Sequence, residues 1–168
     1  MIRAVFFDLG DTLVAEEPIE GRHLWETILK KVPHFDEVLT ELKKKGYKLG
    51  IITNTVTSRE EHVRMALRKI DAEKYFDVIL TSVDVGHEKP DERIFMTALQ
   101  KVRVKPNEAV MVGNRISADI MGGNRMGMKT ILFKWNKRYP EKATTPEEKP
   151  TRTIRSLKEL PIVIQELS

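Results

Sequence analysis

The sequence predicts an α/β domain built on a parallel sheet, and three observations support that prediction. Short apolar runs alternate with longer amphipathic segments, as in chains that connect parallel strands through helices. The apolar runs are nearly continuous, which is typical of strands covered on both faces. Residues that favour helix ends separate the two kinds of segment. We predict strands at 2–8, 47–53, 77–81, 109–113 and 129–133, and helices near 21–31, 34–45, 58–70, 91–103, 117–126 and 156–167.

Individual residues support several of these helix boundaries. Ser58 stands before one amphipathic segment, and the pair Pro90-Asp91 opens another. Gly46 and Gly127 follow amphipathic segments, where glycine commonly ends a helix. Strands and helices in this alternation predict βαβ units with right-handed crossovers.

Length and composition favour one globular domain over residues 1–168. The chain is long enough to bury a core, and 40% apolar and 32% charged residues exclude a disordered protein. The absence of cysteine excludes disulfides and thiolate metal sites. No apolar stretch approaches the roughly 18 residues of a membrane span, and the start of the chain lacks the pattern of a signal peptide. We therefore expect a cytoplasmic protein without a membrane partner.

The net charge of +4 raises the question of a polyanionic partner. Most Lys and Arg residues interleave with Glu in the predicted helices, as on solvated helix faces with local ion pairs. The segment 134–153 is locally basic, but it also carries Glu and has no mark of a nucleic-acid-binding module. The sequence therefore argues against a nucleic-acid partner.

Polar residues follow the predicted strands, at the sheet edge where open parallel sheets bind their ligands. Asp8 comes directly after the run Ala-Val-Phe-Phe and fits either a turn aspartate or a carboxylate nucleophile. Thr53 and Asn54 end the second strand. They offer a hydroxyl and amide groups to an anion, or they form a simple turn.

Three further polar residues lie near the same predicted edge. Lys89 is held extended by the following Pro90 and could reach an anion as a point charge, although an ordinary surface lysine fits as well. Asn114 and Asp119 follow the fourth strand. Beside Asp8 they would suit Mg²⁺, which prefers oxygen ligands, but each alone also fits a turn or a first helical turn.

The order of these segments resembles the haloacid dehalogenase-like (HAD) hydrolase superfamily. The segments are DLGDTL at 8–13, TN at 53–54, KPDERIF at 89–95 and GNRISAD at 113–119, and the resemblance extends from residue 2 to about residue 133. It implies a three-layer, Rossmann-like fold with helices on both faces of the sheet. We expect about five strands in the order 5-4-1-2-3, which brings the ends of strands one and four together.

The resemblance also implies a role for each polar residue. Asp8 would be the nucleophile of a Mg²⁺-dependent phosphomonoester phosphatase that acts through an aspartyl-phosphate. Thr53 and Asn54 would bind the phosphoryl group, and Lys89 would steady both. The implied metal ligands are Asp8, the backbone carbonyl of Gly10, and Asn114 or Asp119.

Two positions depart from the family's phosphatases. Gly10 stands where a second aspartate usually acts as general acid and base. Without a substitute, the loss of this acid–base group lowers the reaction rate on the order of 10²-fold to 10⁴-fold. We therefore expect slow turnover, most of all on alkyl phosphates. Asp11 would replace it only in a remodelled turn, because adjacent residues of an extended chain point to opposite faces. Asn114 stands where a metal-binding aspartate is usual, so we expect weaker metal affinity.

The chain has no room for a large cap domain. We place at most one extra helix within residues 14–33, which leaves the site open. An open site suits a large phosphorylated substrate, or a homo-oligomer in which a neighbouring copy acts as the lid. Two other functions stay open: a non-catalytic module that binds a phospho-ligand or a protein, and a dehalogenase, in which aspartate attacks carbon. The missing cap counts against the dehalogenase.

Overall fold

The central sheet of this computed structural model is parallel throughout, and the structure describes residues 1–17 and 21–168. Its strands lie in the order β3-β2-β1-β4-β5-β6. They are β1 (Ala4–Phe7), β2 (Lys48–Thr53), β3 (Val78–Thr81), β4 (Ala109–Gly113), β5 (Lys129–Phe133) and β6 (Arg152–Ile154).

The predicted order of the first five strands is confirmed, and β6 adds a sixth strand beside β5. No strand was predicted at 152–154, because three residues are too few to show an alternating pattern. Two main-chain bonds draw it onto the sheet edge, from Thr151 N to Thr130 O at 2.9 Å and from Lys134 N to Ile154 O at 2.9 Å.

The α-helices of the described residues are α1 (Phe35–Lys44), α2 (Glu60–Lys69), α3 (Ser82–Val85), α4 (Glu92–Val102), α5 (Met121–Met126) and α6 (Leu160–Leu167). All except α3 fall within predicted helical segments. The short α3 was not predicted; the Thr81 hydroxyl accepts a hydrogen bond from Asp84 N and starts it. Over the described part of the chain, no helix is both long and apolar enough to cross a bilayer.

Two apolar layers cover the sheet. Side chains of α1, α2 and α6 pack on one face, against strand residues such as Phe7 and Ile51. On the other face α4 packs against strand residues such as Phe6 and Met111. Strand residues alternate between the layers, as the pleat requires, so the predicted three-layer arrangement is confirmed. The polar site is left to the carboxyl ends of the strands.

The segment 14–33, where one extra helix was predicted, differs from that prediction. Residues 18–20 of it lie outside the described residues, and the remainder contains a single 3₁₀ turn at Leu24–Glu26. Ala15 N donates to Lys30 O at 2.8 Å, which holds the end of the segment extended beside the tip of β1. Pro33 also disfavours helix at the residue before it.

Candidate active site

One cavity of about 860 Å³ lies at the carboxyl ends of the strands. All seven residues predicted for the site line it: Asp8, Gly10, Thr53, Asn54, Lys89, Asn114 and Asp119. Because β1 lies between β2 and β4 in the sheet, the ends of these three strands meet there. The sheet order therefore brings together residues that are far apart in the sequence.

The Lys89 ammonium is the centre of the site. Its Nζ donates to Asp8 Oδ1 at 3.0 Å, to Asp119 Oδ1 at 2.6 Å and to the carbonyl of Ile52 at 2.8 Å. Lys89 is 4% exposed and Asp119 is fully buried. A buried ammonium with three acceptors has each of its protons satisfied, and it holds the two carboxylates close together.

The charges of this buried group depend on one another. Burial disfavours the charged form of Lys89, but the carboxylates of Asp119 and Asp8 outweigh it and raise the pKa of the ammonium. Burial raises the pKa of Asp119 to about 6, against the opposing effect of Lys89. At neutral pH both groups are therefore ionised.

Asn54 and Thr53 play different parts at the end of β2. The Asn54 side chain accepts from Lys89 N at 2.8 Å and donates to Lys89 O at 3.1 Å, so its amide holds the backbone of the lysine. Phosphoryl binding by Asn54 therefore remains a prediction for its backbone N–H. Thr53 is 5% exposed and lines the cavity, and within the described residues its hydroxyl makes no side-chain hydrogen bond. That hydroxyl is available to a ligand.

Oxygen atoms suited to a cation lie next to the Lys89 group. Asp8 Oδ2 and the carbonyl of Gly10 accept no hydrogen bond from the described residues, and Asn114 Oδ1 accepts only a long one, at 3.4 Å, from Thr12. Both oxygens of Asp119 are already used, since Oδ2 accepts from Arg115 N at 3.1 Å. In the part of the chain that the structure describes, no three His, Cys, Asp or Glu side chains form a metal cluster. The donor set is thus mixed, and it fits a hard divalent cation with oxygen ligands.

Gly113, at the end of β4, allows the approach of Asp119. A Cβ atom at position 113 would overlap the Asp119 carboxylate. Asp119 lies in a π-helical turn, Ile116–Ile120, that continues into α5. The absence of a side chain at Gly113 therefore lets this turn fold back over the strand and deliver its carboxylate to Lys89.

Asp11, the residue after Gly10, lies outside the cavity. It is fully buried and is not among the residues lining the cavity. Its Oδ1 accepts from Glu16 N at 2.8 Å, and Arg138 Nε lies 2.7 Å from its Oδ2 without hydrogen-bond geometry. The turn has given Asp11 a left-handed φ of 53°, and the side chain stabilises the loop.

The loop of residues 134–151 lies beside the site and contributes contacts that were not predicted. Trp135 Nε1 donates to Asp11 O at 2.7 Å, and Tyr139 Oη donates to Glu16 Oε2 at 2.9 Å. Arg115 Nε donates to Glu141 Oε1 at 2.7 Å, and its guanidinium stacks on the Tyr139 ring at 4.2 Å. Basic, aromatic and acidic residues of this loop (Arg138, Trp135, Tyr139 and Glu141) thus contact other residues of the same chain.

Comparisons with known proteins show the family to which the chain is similar. A sequence profile of haloacid dehalogenase-like hydrolases matches residues 16–133. The chain is 38% identical over 167 residues to the glyceraldehyde 3-phosphate phosphatase of Pyrococcus furiosus, covering 98% of this chain and 67% of that protein. It is 36% identical over 134 residues to the protein of the same name in Methanothermobacter thermautotrophicus, covering 79% of this chain and 57% of that one. An uncharacterized protein from Listeria monocytogenes serotype 4b has the same fold, with a TM-score of 0.87 and 29% identity over 99% of this chain and 98% of that one.

Proposed function

The chain belongs to the haloacid dehalogenase-like hydrolase family, and we propose that it is a phosphomonoester phosphatase acting through an aspartyl-phosphate at Asp8. The observation that carries the proposal is the Lys89 ammonium, which contacts one oxygen of the cavity-lining Asp8 and leaves Oδ2 without a hydrogen bond from the described residues. A carboxylate held in this way is oriented for attack on phosphorus. The two phosphatases it resembles support the reaction class.

Phosphoryl transfer depends mainly on positioning and on neutralising charge. Lys89 fixes Asp8 and supplies positive charge beside the entering phosphoryl group. The free hydroxyl of Thr53 and the backbone N–H of Asn54 would donate to phosphoryl oxygens. Asn54 contributes a second time by fixing the backbone of Lys89.

The residues that would hold Mg²⁺ are Asp8, Gly10 through its carbonyl, and Asn114, with Asp119 adding negative charge from the buried side. When bound, the cation would supply charge compensation that lets an anionic phosphate approach the Asp8 carboxylate. Because Asn114 is neutral, the site offers the cation less negative charge than it would with an aspartate at position 114. We therefore expect modest affinity for Mg²⁺ in the absence of substrate.

The substrate and any partner follow from the shape of the site. Residues of the cap segment (14–33) line one side of the cavity, and within the described residues this segment carries only one 3₁₀ turn. We propose that so short a cap leaves the mouth of the cavity open. An open mouth would admit a large phosphorylated substrate, or a second copy of the chain acting as a lid. The two curated relatives are longer, since this chain spans 57% and 67% of their lengths. Their substrate is therefore one candidate to assay and not an assignment.

Hydrolysis of an aryl phosphate with and without Mg²⁺ tests the proposal. The wild-type protein should release phosphate only with Mg²⁺, and Asp8→Asn should abolish that turnover while keeping the unfolding temperature within a few degrees. Activity that survives Asp8→Asn would contradict the assignment of the nucleophile. A folded wild type without turnover on any phosphate ester would favour the non-catalytic alternative.

A further inference from the structure

The carboxylate of Glu16 lies over Gly10, the position where an acid is missing. A Cβ atom built on Gly10 would lie 3.5 Å from Glu16 Oε2 and 3.6 Å from its Cγ. Gly10 is not among the glycines with a positive φ, so the backbone there does not require glycine. The absence of a side chain at Gly10 leaves a space, and the Glu16 side chain borders that space.

Glu16 faces the same cavity as the proposed nucleophile. Leu9 is 5% exposed and packs into the core, so Asp8 and Gly10 on either side of it turn toward the cavity. Asp8, Gly10 and Glu16 are all among the lining residues. A carboxylate beside Gly10 therefore lines the same cavity as the Asp8 carboxylate.

The loop of residues 134–151 fixes one oxygen of Glu16 and leaves the other free. Tyr139 donates to Oε2 at 2.9 Å, and Arg115 stacks on the Tyr139 ring. Burial and the Glu16 carboxylate raise the pKa of Tyr139, so the phenol keeps the proton that it donates. Oε1 of Glu16 accepts no hydrogen bond from the described residues and can exchange a proton with a ligand.

Other acids near the site are less suited to proton transfer. Both oxygens of Asp119 hold hydrogen bonds to Lys89 and Arg115. Asp11 does not line the cavity, and Glu26 accepts from His23 N at 2.8 Å. Glu17 lines the cavity, as Glu16 does, but the three atoms nearest to a Cβ built on Gly10 all belong to Glu16.

We propose that Glu16 is the catalytic residue that transfers protons in this site, in place of a side chain at position 10. The proposal rests on the phosphatase function proposed above. In the first step Asp8 attacks phosphorus, the bond from phosphorus to the ester oxygen breaks, and the leaving oxygen takes the proton of the Glu16 carboxyl group. In the second step Glu16 takes a proton from water as that water attacks phosphorus. The bond from phosphorus to Asp8 then breaks, which returns the Asp8 carboxylate, inorganic phosphate and protonated Glu16.

Glu16→Gln separates the two steps when assayed on an aryl and an alkyl phosphate. A good leaving group needs little protonation, so the variant should release aryl alcohol in a burst and then stall as phosphoenzyme. Turnover of the alkyl phosphate should fall on the order of 10²-fold to 10⁴-fold. The matched control is Glu37→Gln on the exposed side of α1, which removes the same charge and should leave both rates unchanged.

A second pair of variants tests the position itself. Gly10→Asp combined with Glu16→Ala moves the carboxylate to a side chain at position 10, and its alkyl phosphatase activity should be at least tenfold higher than that of Glu16→Ala alone. The proposal is wrong if Glu16→Gln keeps alkyl phosphate turnover within about threefold of wild type, or if the double variant, folded by its unfolding temperature, recovers nothing. Failure of the phosphatase function itself would be recognised separately, as wild-type protein without Asp8-dependent turnover.

Discussion

Lys89 and Asp119 form a buried ion pair, with Nζ 2.6 Å from Oδ1 and neither side chain more than 2% exposed. A pair of this kind contributes little net stability compared with an apolar pair, but removal of one partner leaves a buried charge without compensation. Lys89 also contacts Asp8, so the pair joins the stability of the domain to the geometry of the proposed nucleophile.

Lys89→Met should lower the free energy of unfolding by roughly 3–5 kcal/mol near pH 8. The pKa of Asp119, about 6 with the lysine present, would rise further without it. A carboxyl whose folded pKa exceeds its unfolded value contributes stability that is present at low pH and is lost as the pH rises through the folded pKa. The loss should therefore be small at pH 4.5 and large at pH 8, as measured by urea unfolding. Lys101→Met, at an exposed position of α4, is the control, and an equal loss from Lys89→Met at both pH values would contradict this account.

Gly113→Ala should disturb the site through its effect on the Asp119 carboxylate. The added methyl group would overlap the Asp119 carboxylate, so the turn over β4 has to shift and the pair with Lys89 has to open. We expect a loss of roughly 1–3 kcal/mol in the free energy of unfolding, together with a loss of phosphatase turnover. Gly10→Ala provides the matched comparison for stability, because its methyl group would meet only ordinary contacts at 3.5 Å or more. Equal stability of the two variants would show that Gly113 is not needed for close approach.

Asp11→Asn separates a structural acid from a catalytic one. The asparagine keeps the left-handed backbone and the acceptor for Glu16 N, but it loses the charge beside Arg138. The free energy of unfolding should fall by roughly 1–3 kcal/mol, while kcat on the aryl phosphate stays within about threefold of wild type. A large drop in kcat without a change in stability would mean that Asp11 acts in the reaction after all.

The sequence predicted the sheet and the clustering of polar residues at one of its edges, because both depend on short-range patterns. Apolar runs mark the five long strands, and a parallel sheet puts their carboxyl ends at one edge, so Asp8, Lys89 and Asp119 could be expected to meet there. The sixth strand and the 3₁₀ turn in the cap segment depend instead on tertiary hydrogen bonds. Neither leaves a pattern long enough to detect in the chain.

Glu16 shows why part of the site could not be predicted. It lies six positions after Gly10 in an irregular segment, where spacing says nothing about direction. Its position depends on the return of the chain after β1 and on Tyr139, which comes from a loop more than a hundred residues away. The missing side chain at Gly10 was visible in the sequence, but its consequence for Glu16 becomes clear only when both chain segments are placed.

Asp77→Asn gives a prediction about pH that does not involve the site. Asp77 Oδ2 accepts from Leu49 N at 2.8 Å and from Lys43 Nζ at 2.9 Å, so one carboxylate joins the start of β3 to β2 and to α1. Burial alone would raise the pKa of Asp77, but the bonds from Lys43 and Leu49 outweigh it and lower the pKa. A carboxyl with a lowered folded pKa contributes stability above its unfolded pKa of about 3.9 and loses it as the pH falls through the folded pKa. Because the group is partly exposed, we expect Asp77→Asn to cost only about 1 kcal/mol at pH 7, with the difference from wild type shrinking below pH 4.

Asp71→Asn is the control, since its pair with Lys74 is exposed and should contribute little at any pH. If urea unfolding gives a constant difference between wild type and Asp77→Asn from pH 7 to pH 3, the ionised form of Asp77 is not what stabilises this junction.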